Sequence, residues 1–244
     1  MGSQRISSAL AMGALMIGAG GLQTAAAEDA DSGPFSANVG VVSNYLWRGQ
    51  TQTDNKPAIQ GGLDFSHASG FHAGVWSSNV DFGEGTEGTY ELDGAIGFGK
   101  SVNDDFSYDF TATYIAYPGA HDIDFAEIGA SATYKWLNLG INYTFYGQAD
   151  DAPGVDDGEA LYVQGDLYYR AALNFDLPYN LGLSLFGGYY DFKYNDGGND
   201  YGHWGLSISR AAGDFGTFSL NCEQIARDTY DDDPKVWVGW KKVF

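Results

Sequence analysis

The stretch KVWVGWKKVF, residues 235–244, decides the fold. Counting back in twos from Phe244 places Lys242, Trp240, Val238 and Val236 on one mostly apolar face. Such a period of two predicts a β-strand. Bacterial outer-membrane β-barrels typically end in a strand of this kind with a terminal aromatic residue, which their assembly machinery reads. We therefore predict that Phe244 and Trp240 form the assembly signal; the alternative is a soluble β-protein that happens to end in Phe.

The first 27 residues predict a cleaved secretory signal peptide. Arg5 provides a positive charge, residues 6–21 are apolar and small, and residues 25–27 supply an alanine cleavage site. Residues 28–244 then form the predicted barrel domain. This domain has no apolar run of the roughly 20 residues that a transmembrane helix needs. Cys222 is the single cysteine of the sequence, so no intrachain disulfide is expected.

The composition excludes some functions and fits a barrel. A net charge of −20 argues against nucleic acid as a partner. The sequence holds 35 glycines and only 6 prolines, and aromatic residues make up 16% of it. This mixture suits many twisted strands with small residues in the lumen and aromatic residues near the membrane interfaces.

The period of two recurs along the whole mature chain and predicts an all-β, up-and-down antiparallel transmembrane barrel. An even number of strands keeps both ends of the chain on one side of the membrane, as bacterial barrels require. The twelve predicted strands lie near residues 35–45, 59–66, 71–80, 90–98, 106–114, 126–134, 139–145, 161–173, 181–189, 204–208, 218–223 and 235–244.

Connection lengths alternate and indicate which end faces which compartment. Connections after even strands are short, as at residues 69–70 and 135–138, whereas those after odd strands are longer and more acidic, as at residues 147–159. Short turns are expected in the periplasm and longer loops outside the cell. Aromatic residues near strand ends are expected at the two membrane interfaces: Tyr45, Trp47, Tyr90, Tyr114, Tyr134, Trp136, Trp204 and Trp240.

The first third of the mature chain carries a family resemblance. The residues are Ser43-Asn44-Tyr45, Trp47-Arg48-Gly49, the segment PAIQGGLD at residues 57–64, and WSSNV at residues 76–80. This part resembles the TorF family of porin-like proteins, a Gcw_chp-like group of exported proteobacterial proteins. The resemblance implies an outer-membrane channel for passive diffusion of small hydrophilic solutes or ions. It brings no catalytic residues and no cofactor.

Inward positions of the predicted strands carry more acids than bases. An acidic lining raises the local concentration of cations, so the sequence predicts a cation-preferring pore. The alternative is a set of salt-bridged networks that plug a narrow barrel. The predicted pore-lining residues are Arg48, Gln60, Asp64, Glu91, Asp93, Asp109, Glu127, Asp166, Arg170, Glu223 and Lys241.

Arg48 and the Gly61-Gly62 pair each allow two interpretations. Arg48 sits where the first strand leaves the membrane. It could orient an anionic group of a solute, or it could pair with a carboxylate or with a lipopolysaccharide phosphate. Gly61 and Gly62 separate Gln60 from Asp64 and favour a role in strand curvature over one in binding.

Other functional classes and partners follow from the same sequence. A lipid-modifying enzyme would need a histidine with a serine or carboxylate partner near a bilayer edge. His67, near a periplasmic turn, leaves such a serine partner open, but the sequence has no G-x-S-x-G motif. A non-conducting structural or adhesive barrel is the third class. The acidic loop residues at 150–159 and 231–233 fit solvated tips better than a metal site. Expected partners are outer-membrane lipid and lipopolysaccharide, periplasmic chaperones and the barrel-insertion machinery.

Overall fold

A computed structural model describes residues 33–83, 88–152, 160–194, 198–227 and 230–244. The predicted signal peptide lies outside these residues. Twelve of the described strands close into one antiparallel barrel in the order β1-β14-β13-β12-β11-β10-β9-β8-β7-β6-β5-β4. The barrel strands are β1 (Phe35–Val42), β4 (Ala58–Ser66), β5 (Phe71–Asn79), β6 (Tyr90–Asn103), β7 (Phe106–Ala116), β8 (Phe125–Tyr134), β9 (Leu137–Gly147), β10 (Leu167–Leu177), β11 (Leu181–Asp191), β12 (Tyr201–Ala211), β13 (Thr217–Ile225) and β14 (Lys235–Val243).

The predicted fold class is therefore confirmed, and the remaining elements are short. Strands β2 (Leu46–Trp47) and β3 (Gln50–Thr51) pair only with each other, in a hairpin between β1 and β4. Two 3-10 turns cover Gln148–Asp151 and Gly213–Phe215. Among the described residues, no helix has the length and hydropathy to cross a membrane.

The alternation of side chains gives the barrel an apolar outside and a largely polar inside. In β6, residues at odd and even positions switch strictly between buried and exposed from Tyr90 to Ala95. Outward residues such as Ile59, Leu63, Ile96 and Leu220 are at least half exposed. In hydrocarbon, only a closed barrel or a helix pairs all backbone polar groups, so this surface suits a bilayer.

The connections alternate between the two ends of the barrel. Short turns, such as residues 104–105 and 135–136, lie at what we call the short-turn end, and the longer connections lie at the long-loop end. The first of the long connections, residues 43–57, contains the β2–β3 hairpin. We call it the first loop.

The barrel closes between its first and last strands. Residues Asn38 to Val42 pair with Val243 to Gly239. Backbone hydrogen bonds extend this seam at both ends: Phe244 N–H donates to the Ala37 carbonyl at 2.8 Å, and Ser43 N–H donates to the Val238 carbonyl at 2.9 Å. The seam therefore includes the first residue of the first loop.

Two sequence predictions about elements are wrong. The strand predicted near residues 161–173 begins only at Leu167, because Tyr162 and Gly165 adopt positive φ values of 60° and 117° that break an extended chain. Tyr45 and Trp47, predicted at the membrane interface, instead lie inside the barrel end, since the first loop folds inward; Tyr45 is 2% exposed. The other predicted interface aromatics of that set remain at least partly exposed on the outside.

Candidate functional site in the barrel lumen

The tip of the β2–β3 hairpin places Arg48 inside the long-loop half of the lumen. Arg48 and Gly49 have φ values of 50° and 89°, the pair of left-handed residues that a two-residue type I′ hairpin requires. A non-glycine residue pays strain for this conformation, so surrounding contacts must hold it. Those contacts come from strands on the opposite walls.

Arg48 forms a bidentate ion pair with Glu127 of β8. Its Nη1 donates to Glu127 Oε1 at 2.7 Å, and its Nη2 donates to Oε2 at 2.5 Å. Nη1 also donates to the Tyr190 hydroxyl of β11 at 2.8 Å. Both charged side chains are out of solvent, at 10% and 4% exposure. Burial lowers the pKa of Arg48, but Glu127 and the phenols of Tyr190 and Tyr168 together outweigh burial and raise the pKa above its usual value.

Aromatic rings surround the guanidinium. It lies 4.0 Å from the ring centre of Tyr168 on β10 and 4.3 Å from that of Trp47. Such cation–π contacts are strongest where the cation is desolvated. Arg48 therefore connects the first loop to β8, β10 and β11 at once.

A continuous set of aromatic side chains fills the long-loop half of the lumen around this ion pair. We call Trp47, Tyr162, Tyr190, Phe192 and Tyr201 the aromatic plug. Trp47 contacts Tyr162 and Tyr190, with ring centroids 5.6 and 6.3 Å apart, and Tyr190 stacks on Phe192 at 4.3 Å. Tyr190 and Tyr201 are at most 1% exposed. The first loop thus seals this half of the barrel through packing.

The base of the first loop is held by its own hydrogen bonds. Thr51 Oγ1 donates to Asn44 Oδ1 at 2.7 Å, and Thr53 Oγ1 donates to the Lys56 carbonyl at 2.6 Å. On the surface, Lys56 Nζ lies 2.7 Å from Asp81 Oδ2, and this bond lowers the pKa of Asp81. The loop is consequently a defined structure and can close the lumen in one position.

His203 and Glu223 form a second buried ionic contact beside the hairpin tip. His203 Nδ1 lies 2.6 Å from Glu223 Oε1, and its Nε2 lies 2.7 Å from the Tyr168 hydroxyl. A Cβ added to Gly49 would come within 3.0 Å of His203 Cβ and 2.8 Å of Ile225 Cγ1. The tip therefore reaches the β12–β13 wall with no space to spare.

Glu91 and Asp93 lie on the opposite wall, beneath the start of the first loop. Both are inward on β6 and are 3% and 2% exposed. The Tyr45 hydroxyl lies 3.1 Å from Glu91 Oε1 and donates to this carboxylate. Burial, followed by the charge of Glu91, raises the pKa of Tyr45 well above its usual value. The first loop thus contacts carboxylates on two walls: its Arg48 binds Glu127 of β8, and its Tyr45 donates to Glu91 of β6.

The short-turn half of the lumen is lined by polar side chains. Asn38 Nδ2 donates to Asp64 Oδ2 at 3.1 Å, His72 Nε2 lies 2.7 Å from Asp109 Oδ2, and Arg170 Nη1 donates to Asn138 Oδ1 at 2.5 Å. Serine and asparagine side chains continue this lining, including Ser184, Ser207, Ser209 and Asn221. Several of these polar groups bond to one another.

Most of the predicted pore-lining residues lie on the inner wall, and they fall into separate groups. Arg48, Glu127 and Glu223 lie in the sealed half, and Asp64, Asp109, Arg170 and Lys241 lie in the polar half. Gln60 on β4 pairs with β5, where its Nε2 lies 3.4 Å from Ser78 Oγ. Arg48 is not a mouth residue open to solutes, because Glu127 and Tyr190 take its donors.

Asp166 has a different place from the one predicted. It precedes β10 in the connection after β9, and its carboxylate accepts the backbone N–H groups of Val163 at 3.0 Å and Lys193 at 2.9 Å. Burial raises its pKa, and these hydrogen bonds oppose the rise. Asp166 therefore shapes a loop.

The aromatic plug was not found from the sequence. A period of two tells inward from outward residues, but it does not tell which inward residues meet across the lumen. Tyr168, Tyr190 and His203 were therefore missed as partners of the first loop. The signal available was the density of tyrosines at strand ends on the long-loop side.

The groups considered for an enzyme or a metal site have the following contacts within the described part of the chain. His67 Nδ1 lies 2.9 Å from Ser69 Oγ, but the same nitrogen also meets the Ser69 N–H within one exposed turn, and no carboxylate of the described residues bonds to His67. No group of three or more metal-type side chains is present among the described residues. In the acidic loop at residues 150–159, residues 156–159 lie outside those described. In the acidic loop at residues 231–233, Lys235 bonds to Asp231.

The barrel has the architecture of outer-membrane porins. Structures described as KdgM porin match with a TM-score of 0.57 at 8% identity, over 86% of this chain and 99% of that chain. A NanC porin structure matches with a TM-score of 0.51 at 12% identity, over 86% of this chain and 98% of that chain. At such identities the likeness shows the fold alone.

The chain belongs to the Gcw_chp family. The family model, described as a bacterial protein of unknown function, matches residues 26–233. No curated protein matches the chain. The more specific TorF name stays a prediction.

Proposed function

We propose that this protein is an outer-membrane channel for small hydrophilic solutes or ions, closed in this structure by its first loop. The observation that carries the proposal is a closed barrel with a polar interior, sealed at one end by a hairpin whose two strands pair with each other and, among the described residues, with no barrel strand. In this proposal residues 1–27 direct export and are cleaved, the long-loop end faces outside, and the short-turn end faces the periplasm.

The way in which the first loop is attached to the barrel supports a role for this loop as a gate. The first loop pairs its β-strands only internally, as β2 with β3, and shares no ladder with a barrel strand. Its movement would break the Arg48–Glu127 ion pair, ring contacts and the hydrogen bonds of Tyr45 to Glu91 and of Asp81 N–H to the Gln52 carbonyl, but it would leave every pair of barrel strands intact. Loop movements of this kind are compatible with a rigid scaffold.

A preference for cations follows from the charges of the lumen. Without Asp166, the predicted lining holds six carboxylates against the three bases Arg48, Arg170 and Lys241. An excess of fixed negative charge in a narrow passage concentrates cations. One solved KdgM porin is described in complex with disordered oligogalacturonate, which is an anionic sugar chain. The acidic lumen of this chain argues against a similar cargo here.

The proposed partners are lipid, lipopolysaccharide and the assembly apparatus. The outward apolar belt suits lipid acyl chains, and the last strand offers Trp240 and Phe244 to the barrel-insertion machinery after escort by periplasmic chaperones. The proposal includes no cofactor and no catalytic step.

A non-conducting structural or adhesive barrel is the second candidate. The aromatic plug favours it, because the buried rings leave no solvent at Tyr190 or Tyr201. No contact within the described residues favours a lipid-modifying enzyme over these two.

Single-channel recording in planar bilayers separates the two candidates. We would compare the refolded mature chain with a variant in which residues 46–51 are replaced by two glycines. The channel proposal expects rare openings of the wild type and frequent, larger steps of the variant, with a reversal potential in a salt gradient that indicates cations. A folded, heat-modifiable variant without conductance would support the structural barrel, and an anion-selective reversal potential would contradict the cation preference.

A further inference from the structure

Two buried carboxylates of the sealed half lack a basic partner. Glu91 and Asp93 are two residues apart on β6, both point inward, and the charge of Glu91 acts on Asp93. At 3% and 2% exposure, neither is stabilised by bulk water. Removing carboxylates from water is costly unless they are paired.

The other acids of the lumen wall have basic neighbours. Glu127 has Arg48, Asp109 has His72, Glu223 has His203, and Asp64 lies in the field of Lys241. Within the described ranges, no basic side chain forms an ion pair with Glu91 or Asp93. Their polar neighbours are phenols: Tyr45 donates to Glu91, and the charges of Glu91 and Asp93 both act on Tyr117. Phenols bring hydrogen bonds but no positive charge.

A second observation shows that the cluster is incomplete. Asp93 Oδ1 is fully buried and has no hydrogen-bond partner. The charge of Glu127 also acts on Asp93, so the local excess of negative charge extends beyond the pair. Buried acceptors of this kind are rare in native proteins and call for an explanation such as an ion.

We propose that Glu91 and Asp93, together with the phenol oxygens of Tyr45 and Tyr117, bind a small monovalent inorganic cation such as Na⁺. Hard oxygen donors suit such an ion. Mg²⁺ usually keeps several of its water ligands, which a site at 3% and 2% exposure does not supply.

The position of the site links it to the first loop. Tyr45 belongs to the first loop, whereas Glu91 and Asp93 belong to the wall, so a bound cation joins the two. The Tyr45 ring makes a T-shaped contact with Trp76, at 5.6 Å between ring centroids, and this contact holds the ring beside the two carboxylates. Occupancy of the site therefore strengthens the closed state of the lumen.

The test of the cation site measures binding and not conduction. The site can therefore be refuted or supported independently of the proposed channel. The folded mature barrel in neutral detergent at pH 8 would be heated in NaCl, KCl or N-methylglucamine chloride at equal ionic strength. The loss of the compact band on gels gives the unfolding midpoint. We expect a midpoint higher by on the order of 5 °C in Na⁺ or K⁺, as ligand binding at many times Kd produces.

The variant E91Q/D93N should lose this difference between salts, whereas D109N, which removes a carboxylate that has its own partner, should keep it. Equal midpoints of the wild type in all salts would overturn the site, as would a difference that survives in E91Q/D93N. A midpoint that rises on acidification equally in all salts would assign a shared proton in place of the cation.

If E91Q/D93N does not fold, line broadening of the ²³Na resonance by the wild type decides the matter. Broadening that K⁺ reverses supports the site, and D109N should reproduce it. A sharp resonance in the presence of wild-type barrel would refute it.

Discussion

Arg48 is the residue through which the first loop meets the far walls of the barrel. Its guanidinium contacts Glu127, Tyr168 and Tyr190, which come from three strands. Removing one member of a buried ion pair typically costs about 3–5 kcal/mol because the other charge stays unpaired. Here the loop can leave the lumen and let water reach Glu127, so the expected response is opening of the loop with the barrel intact.

The variant R48A tests this response by limited proteolysis of the folded barrel. Chymotrypsin should cut the first loop at Tyr45, Leu46 or Trp47 at least tenfold faster in R48A than in the wild type. The control R210A removes an exposed arginine at the short-turn end and should resist as the wild type does. Equal resistance of R48A would mean that ring packing alone holds the loop.

Sequence reasoning at the residue scale found Arg48 but left its role open. The alternative in which it pairs with a carboxylate matches the observed contact with Glu127. The partner itself could not be predicted, because β8 is 79 residues away and only the three-dimensional path of the first loop brings the two together. For the same reason, the sequence could not show that Glu91 and Asp93 lack a basic partner.

At the scale of elements, the β2–β3 hairpin depends on one glycine. Gly49 has a φ of 89°, and an added Cβ would meet Ile225 at 2.8 Å and His203 at 3.0 Å. Gly119 has almost the same φ, 92°, but an added Cβ would meet nothing within 4 Å. The two positions separate backbone strain from close packing.

Accordingly, G49A should release the first loop, and G119A should not. Both variants pay roughly 1 kcal/mol of left-handed strain, but only G49A also collides with the β12–β13 wall. Tryptophan fluorescence should shift to the red in G49A as Trp47 reaches water, with G119A unchanged. An identical spectrum of all three proteins would show that the hairpin tip tolerates the extra methyl group.

The alternation of short and long connections predicted the order of elements well. The side-chain period of two, however, misled the prediction after β9. Leu161 and Val163 continue this period but belong to a loop that packs inward, and Val163 is fully buried. Apolar alternation arises both from strands and from loops that fill a lumen. Periodicity alone does not distinguish them, whereas the positive φ of Tyr162 and Gly165 does.

For the whole molecule, the outward belt defines which surface meets the membrane. Cys222 lies in this belt on β13, paired with Val236 and Leu206 of its neighbours. In lipid vesicles, a charged maleimide should label Cys222 at least tenfold more slowly than an apolar maleimide, because hydrocarbon excludes the charged reagent and suppresses the thiolate.

The matched control carries Ser69→Cys in a Cys222→Ala background. Ser69 is exposed in the turn between β4 and β5, so both reagents should label it at similar rates. Rapid labelling of Cys222 by the charged reagent would contradict a lipid-facing belt.

The closing seam sets the order in which the molecule must fold. Ser43 Oγ accepts the Val238 N–H across 195 residues of sequence, and the next residues of the chain are the first loop. Pairings between such distant residues form late, because they carry the largest loss of chain entropy. The first loop therefore has a closed lumen to enter only after β1 has joined β14. Before that step, the curved sheet presents its acidic inner face to solvent.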